Sequence, residues 1–200
     1  MLNLNEFAKE IHANACDKGF WDEPRPFDEL CALMISELAE ALEEARAGRP
    51  MEWYYCDMLC NEKSICFENC GYQMGEPCIV KGCKPEGIAV EMADCAIRIL
   101  DYLGSMECDI ERVISERIDG SECYNNVERL PKAFMMASLL IANAWNWSGI
   151  NDAELQIHPL TGALACILDW FKANNLDFEA IARRKHEYNK TRSIRHGKLF

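Results

Sequence analysis

Residues 88–103 read IAVEMADCAIRILDYL, and this stretch decides the fold. Apolar side chains fill most of its helical period: Ile88, Val90, Met92, Cys95, Ile97, Ile99, Leu100 and Leu103. The polar residues Glu91, Asp94, Arg98 and Asp101 fall on one narrow strip at about 100° per residue. Val90 and Ile97 border that strip on one side, Ile88 and Cys95 on the other. A helix so apolar must be buried nearly all round by other helices. The expectation is an all-α fold, an antiparallel helical bundle, with Gly104 closing this helix.

Working outward, Phe7, Ile11 and Ala15 recur at helical spacing within residues 5–18, and Gly19 follows as a stop. After the loop GFWDEPRP, a long helix is expected from Phe27 to Ala47, ended by Gly48-Arg49-Pro50. Residues 51–87 change character: cysteine, Gly, Pro and aromatics replace the helical period, which reads as an irregular insertion. Asp109 caps a short helix reaching Ile118. Residues 131–147 and 159–174 carry two further helical patterns, and Asp177 caps a last helix to Thr191, followed by a basic tail. The 200 residues fit one domain, with a cysteine-rich insertion at about 51–87 and an extra helical pair at about 120–176.

The carboxylates carry the chemistry. Glu37 and Glu40 lie three apart on the long helix and share a face, with Glu44 projecting between them. Leu30 and Leu33 project close to the same line, so these acids continue the edge of an apolar stripe. Taken alone, such a pair is usually a solvated surface feature. Glu91 and Asp94, on the buried helix, change the balance, because buried carboxylates need basic partners, hydrogen bonds or metal ions. Arg98 can neutralise one acid but not all four. Hard oxygen ligands with spare negative charge suit Mg²⁺ or Mn²⁺. A structural Arg–Glu network is the alternative.

The formal net charge of −12 sets most of this surface against a phosphate backbone, which argues against duplex nucleic acid as a partner. No apolar run reaches the roughly 18 residues of a membrane span. The N-terminal residues MLNLNE lack the basic start and apolar stretch of a signal peptide, so the expected location is cytoplasmic. Six of the 12 cysteines, Cys56, Cys60, Cys66, Cys70, Cys78 and Cys83, fall in the insertion. Their spacings are not those of paired C-x2-C zinc motifs, yet the segment has too little apolar periodicity to pack alone. Four thiolates around Zn²⁺ are the first expectation and an iron–sulfur cluster the second, with free thiols the alternative.

The motifs Glu37-Leu38-Ala39-Glu40 and Glu91-Met92-Ala93-Asp94, within SELAEALEEARAG and GIAVEMADCAIRILDYL, resemble the MazG-like branch of the all-α nucleotide pyrophosphohydrolases. The ending RRKHEYNKTRSIRHGK is similar to tails in that family. The resemblance covers roughly residues 5–50, 87–118 and 177–198. It implies hydrolysis of a nucleoside triphosphate to the monophosphate and pyrophosphate, with Glu37, Glu40, Glu91 and Asp94 holding Mg²⁺. It also implies nucleotide binding by Lys185, Asn189 and Arg192, Trp21 near the base, and assembly as a homo-oligomer, a dimer or tetramer. The chain departs from the family pattern at Ser36, where many relatives carry an extra Glu, in the long spacer between the motifs, and at residues 120–176.

An apolar surface on more than one side of residues 131–147, with Phe134, Met135, Leu139, Trp145 and Trp147, independently suggests self-association. The rival functional reading is a non-enzymatic helical scaffold carrying a metal-binding or redox-sensing cysteine loop. The four histidines, His12, His158, His186 and His196, receive no chemical role from the sequence.

Overall fold

The computed structural model describes residues 2–55, 83–118, 127–148 and 154–194. Among these lie seven helices: α1 (Leu4–Asp17), α2 (Phe27–Arg46), α3 (Ile88–Ser105), α4 (Ile110–Ile118), α5 (Leu130–Asn146), α6 (Glu154–Ala173) and α7 (Phe178–Thr191). The fold is predominantly all-α, as the periodicity predicts. The central helix, α3, packs against α1, α2, α6 and α7. Its Met92, Ile99, Leu100 and Leu103 are fully enclosed. Among the described residues, no helix is long and apolar enough to cross a membrane.

Capping follows the sequence closely. Asn3 accepts from the Glu6 N–H at 3.0 Å to start α1, and Asp177 accepts from the Ala180 N–H at 3.0 Å to start α7. Both satisfy N–H groups that a helix leaves unpaired at its first turn. Asp109 does the same for α4, accepting from the Arg112 N–H at 3.3 Å.

The start of α3 is fixed differently. No side chain caps it. Instead Ala89 donates to the Met51 carbonyl at 2.9 Å and Ile88 to that of Pro50 at 3.4 Å. Gly87 permits this, because its φ is +115° and a Cβ there would stand 2.7 Å from the Met51 oxygen. The chain just beyond α2 is thereby tied to the first turn of α3, one turn before Glu91. At the other end of α3, a Cβ on Gly104 would approach the Ala8 carbonyl to 2.7 Å, so glycine lets α1 and α3 pack closely.

Two local features differ from the sequence expectation. The ends of the insertion pair as a short antiparallel ribbon, β1 (Trp53–Tyr55) and β2 (Lys84–Glu86), with Tyr54 opposite Pro85. Three residues are too few to show alternation, although the aromatics of β1 favour extended backbone. The α6 helix also begins at Glu154 and runs through Pro159, rather than starting there. A proline in the second turn removes one ladder bond close to a helix end that is incompletely bonded anyway. Of the six clustered cysteines, only Cys83 is among the described residues; Cys56, Cys60, Cys66, Cys70 and Cys78 lie outside them.

Candidate functional site

The site lies where α2, α3 and α7 meet. Glu37 (5% exposed) projects inward from α2, Glu91 (2% exposed) from α3, and Lys185 (1% exposed) from α7. Helical period explains the α7 contribution. Ile181, Ala182, Lys185, His186 and Asn189 recur at i, i+1, i+4, i+5 and i+8, and all are buried. The apolar members anchor the helix, and the polar ones are carried inside with them.

Carboxylate oxygens of Glu37, Glu40 and Glu91 all lie within 4.8 Å of one another, a spacing at which they could hold a metal ion. Glu40 stands at the exposed edge of this group. Asp94, expected as the fourth member, pairs instead with Lys185, whose Nζ stands 3.3 Å from Asp94 Oδ2 and 3.7 Å from Glu91 Oε1. Arg98 binds Glu37 through one oxygen, with Nε at 2.7 Å and Nη2 at 2.6 Å from Oε1, so the second oxygen is outside that ion pair.

The charges are unequal. Glu86 on β2 also approaches Glu91 and pairs with Lys84. Five carboxylates therefore share three cations: Lys84, Arg98 and Lys185. Burial pushes the Glu91 carboxyl well above the usual carboxylate range, and Asp94, Glu86 and Glu37 push it further against the pull of Lys185. Burial likewise raises Glu37, with Asp94 and Glu40 adding to it and Arg98 opposing. For Asp94, burial is outweighed by Lys185 and Arg98, which hold it ionised below its ordinary value. Asp94, Glu91, Glu86 and Glu37 in turn keep Lys185 charged despite its burial. Glu91 Oε1 has no hydrogen-bond donor although it is enclosed. A buried acceptor in that state carries a desolvation cost that a cation would relieve.

The residues fit a hard divalent cation. The donors are all carboxylate oxygens, and with every acid ionised the five carboxylates exceed the three cations by two.

Beside the cluster is a cleft of about 740 Å³, counting its open mouth. Asp94 and Arg98 form one wall, Asn189 and Arg192 another, and Asn14, Phe20, Arg25 and Leu33 line the rest. Asn189 is 8% exposed, and its Oδ1 has no donor. Arg192 sits at the end of α7, with its guanidinium 6.0 Å from the Tyr188 ring centre. Arg25 is held by Glu29 at 2.5 Å and lies over the Phe20 ring at 5.7 Å.

Of the residues the sequence singles out, Asn189 and Arg192 line this cleft and Lys185 joins the carboxylates rather than the cleft wall. Trp21 is positioned through Asp101: its Nε1 donates to both Asp101 oxygens, at 3.0 and 3.1 Å. The sequence assigns His186 no role. His186 is buried on α7, edge-on to Phe7 with ring centres 5.7 Å apart, and it lines the cleft. Its spacing after Ile181 and Ala182 is the signal that places it on the inner face. Asp101 and the pair Lys84–Glu86 were missed as well. Lys84 and Glu86 fall in a segment with no helical period to orient them.

Comparisons of the chain with known protein families, with curated proteins and with solved structures find no match.

Proposed function

We propose that the protein is a Mg²⁺-dependent nucleoside triphosphate pyrophosphohydrolase, releasing the nucleoside monophosphate and pyrophosphate. The observation that carries this reading is the convergence of carboxylate oxygens of Glu37, Glu40 and Glu91 within 4.8 Å of one another, beside a cleft lined by Arg192. The MazG-like motifs supply the reaction class, and the chemistry of the donors supports it. Glu37, Glu40 and Glu91 would hold Mg²⁺ (or Mn²⁺), with Asp94 completing the set or keeping Lys185 in place. When bound, the ion offsets charge on the phosphate oxygens and makes a water more acidic.

The remaining work falls to the chain itself. Such displacements depend on positioning and charge neutralisation more than on covalent participation. Arg192 faces the phosphates from the rim, and Asn189 Oδ1 accepts a hydrogen bond from the substrate. Arg98 fixes the Glu37 carboxylate so that one oxygen stays oriented toward the cluster. Lys185 restrains Asp94 and Glu91 against mutual repulsion. Trp21, held by the cleft-lining Asp101, would approach the base, as the family resemblance implies. The exposed apolar residues of α5, Met135, Leu139 and Trp145, suit a homo-oligomeric assembly, in which a second copy would cover them.

A panel of NTPs and dNTPs with Mg²⁺ tests the reading. Pyrophosphate and monophosphate should appear together and vanish with EDTA; orthophosphate alone, or full activity in EDTA, would overturn it. One observation favours a second reading: Lys185 and Arg98 already pair with Asp94 and Glu37, as a purely structural ion network in a helical scaffold would. That reading requires that calorimetry find no Mg²⁺ binding and that no nucleotide be cleaved.

A further inference from the structure

On α1, away from the carboxylate cluster, His12 and Cys16 stand one helical turn apart on the same face. His12 Nδ1 lies 2.8 Å from Asp101 Oδ1. An ionised carboxylate can only accept, so Nδ1 donates to Asp101 and Nε2 is the ring nitrogen left to face a metal ion. That Nε2 is 3.5 Å from Cys16 Sγ. A histidine nitrogen and a thiolate sulfur on one tetrahedral Zn²⁺, at about 2.0–2.1 and 2.3 Å from the metal, stand about 3.5 Å from each other. The His12–Asp101 bond is also the outer contact that metal-binding histidines use to fix ring orientation and raise basicity.

We propose that His12 Nε2 and Cys16 Sγ form an open binding site for a thiophilic divalent cation of the Zn²⁺ type, with the remaining coordination positions taken by water. Cys16 is exposed, so the site is reached from solvent. The surroundings favour a cation. Burial raises the thiol's pKa, and Asp101, Asp17 and Asp22 raise it further. The negative field that disfavours a bare thiolate attracts a metal ion, and binding releases the thiol proton to solvent. Mg²⁺ prefers oxygen donors, so this site and the carboxylate cluster select different ions. The proposal does not depend on the pyrophosphohydrolase reading.

The test is alkylation of the reduced full-length chain by iodoacetamide, with modification at Cys16 read by peptide mass so that the other cysteines do not interfere. Zn²⁺ should slow alkylation of Cys16 by roughly tenfold or more, since the metal ties up the nucleophilic thiolate. Mg²⁺ should leave the rate unchanged. His12→Ala should abolish the Zn²⁺ protection, and His12→Gln, which keeps a polar group facing Asp101, should abolish it too. Asp101→Asn should weaken it by about 10-fold or more. Equal alkylation rates with and without Zn²⁺ would overturn the proposal, leaving a plain thiol–imidazole hydrogen bond. Protection that persists in both His12 variants would overturn it as well, because another ligand set would then be holding Cys16.

Discussion

The two sides of this bundle are built by opposite means. The packed helices α5 and α6 bury mainly apolar residues, among them Ala133, Ala137, Ile141 and Ala144 on one and Ala163, Leu164, Cys166 and Ile167 on the other. Among the described residues one polar link there is weak, Cys166 Sγ donating to the Ala133 carbonyl at 3.8 Å. Where α3 meets α7 and α2, buried ions stand in the same kind of helical interface. Replacing a buried ion pair by well-packed apolar residues is often neutral or stabilising. The α5–α6 interface demonstrates that this chain can close a helix pair with small apolar side chains. Stability alone therefore gives no reason for Glu91, Asp94 and Lys185, whereas the metal binding proposed above would give one.

The largest expected effect separates the two sides by activity. Glu91→Gln should reduce pyrophosphate release by at least ~100-fold, since it removes the innermost carboxylate from the charge-neutralising set. The fold should survive, because a neutral side chain relieves the repulsion on that carboxylate. Ile141→Ala, on the apolar side, should do the reverse. It should lower unfolding free energy by about 2–5 kcal/mol and leave Mg²⁺ affinity at the wild-type value. Denaturant melts and Mg²⁺ titrations of both variants check the pair. If Ile141→Ala weakens Mg²⁺ binding as much as Glu91→Gln, the two sides are not separable.

A second difference lies in pH. The folded state raises Glu91 and Glu37 above their ordinary 4.5. A raised group favours the folded state below that value, and this contribution is lost as pH rises through the folded pKa. The metal-free protein should therefore lose stability from about pH 4.5 into the alkaline range. Saturating Mg²⁺ should flatten the slope, because the ion holds the carboxylates ionised. Asp94 and Glu10 are lowered in the folded state, so their contribution is lost only on acidification below the ordinary carboxylate range. Thermal melts across pH, with EDTA and with Mg²⁺, read both limbs. A Glu91→Gln protein with the same alkaline slope as wild type would exclude Glu91 as its source.

Much of this was legible in the sequence where helical period was strong. The span of α3, the buried Glu91 and the joint face of Glu37 and Glu40 follow from apolar spacing. The caps Asp109 and Asp177 follow from side-chain chemistry, whereas Asn3 does not stand out, because the apolar spacing that marks α1 begins only at Phe7. What period could not give is which acid meets which cation. Asp94 and Glu91 share one strip, and only the docking of α7 turns Lys185 toward them. His186 was hidden by its basic neighbours, since a charged tail masks the apolar face carried beneath it. Lys84 and Glu86 sit outside any helix, where spacing gives no direction. Proline usually marks a helix boundary, so the sequence places a helix start at Pro159, yet α6 passes through it.

The smallest effect is the most local. Asp177→Ala removes the cap of α7, and Asn3→Ala removes that of α1; each should cost about 0.5–2 kcal/mol. Asp177 also brings negative charge to a helix N-terminus, where the aligned peptide dipoles favour it. The two losses are similar in size but fall on helices with different burdens. The α7 helix carries Lys185, His186 and Asn189 to the site, whereas α1 carries none of the carboxylates or their cations. Fraying at the start of α7 should therefore weaken Mg²⁺ affinity by a small factor beyond what the stability loss alone explains. Asn3→Ala should leave that affinity unchanged. Calorimetric Mg²⁺ titrations on the two variants, matched for stability by temperature, make the comparison. Equal affinities would mean that α7 is held in place by its packing against α3 and does not rely on its first turn.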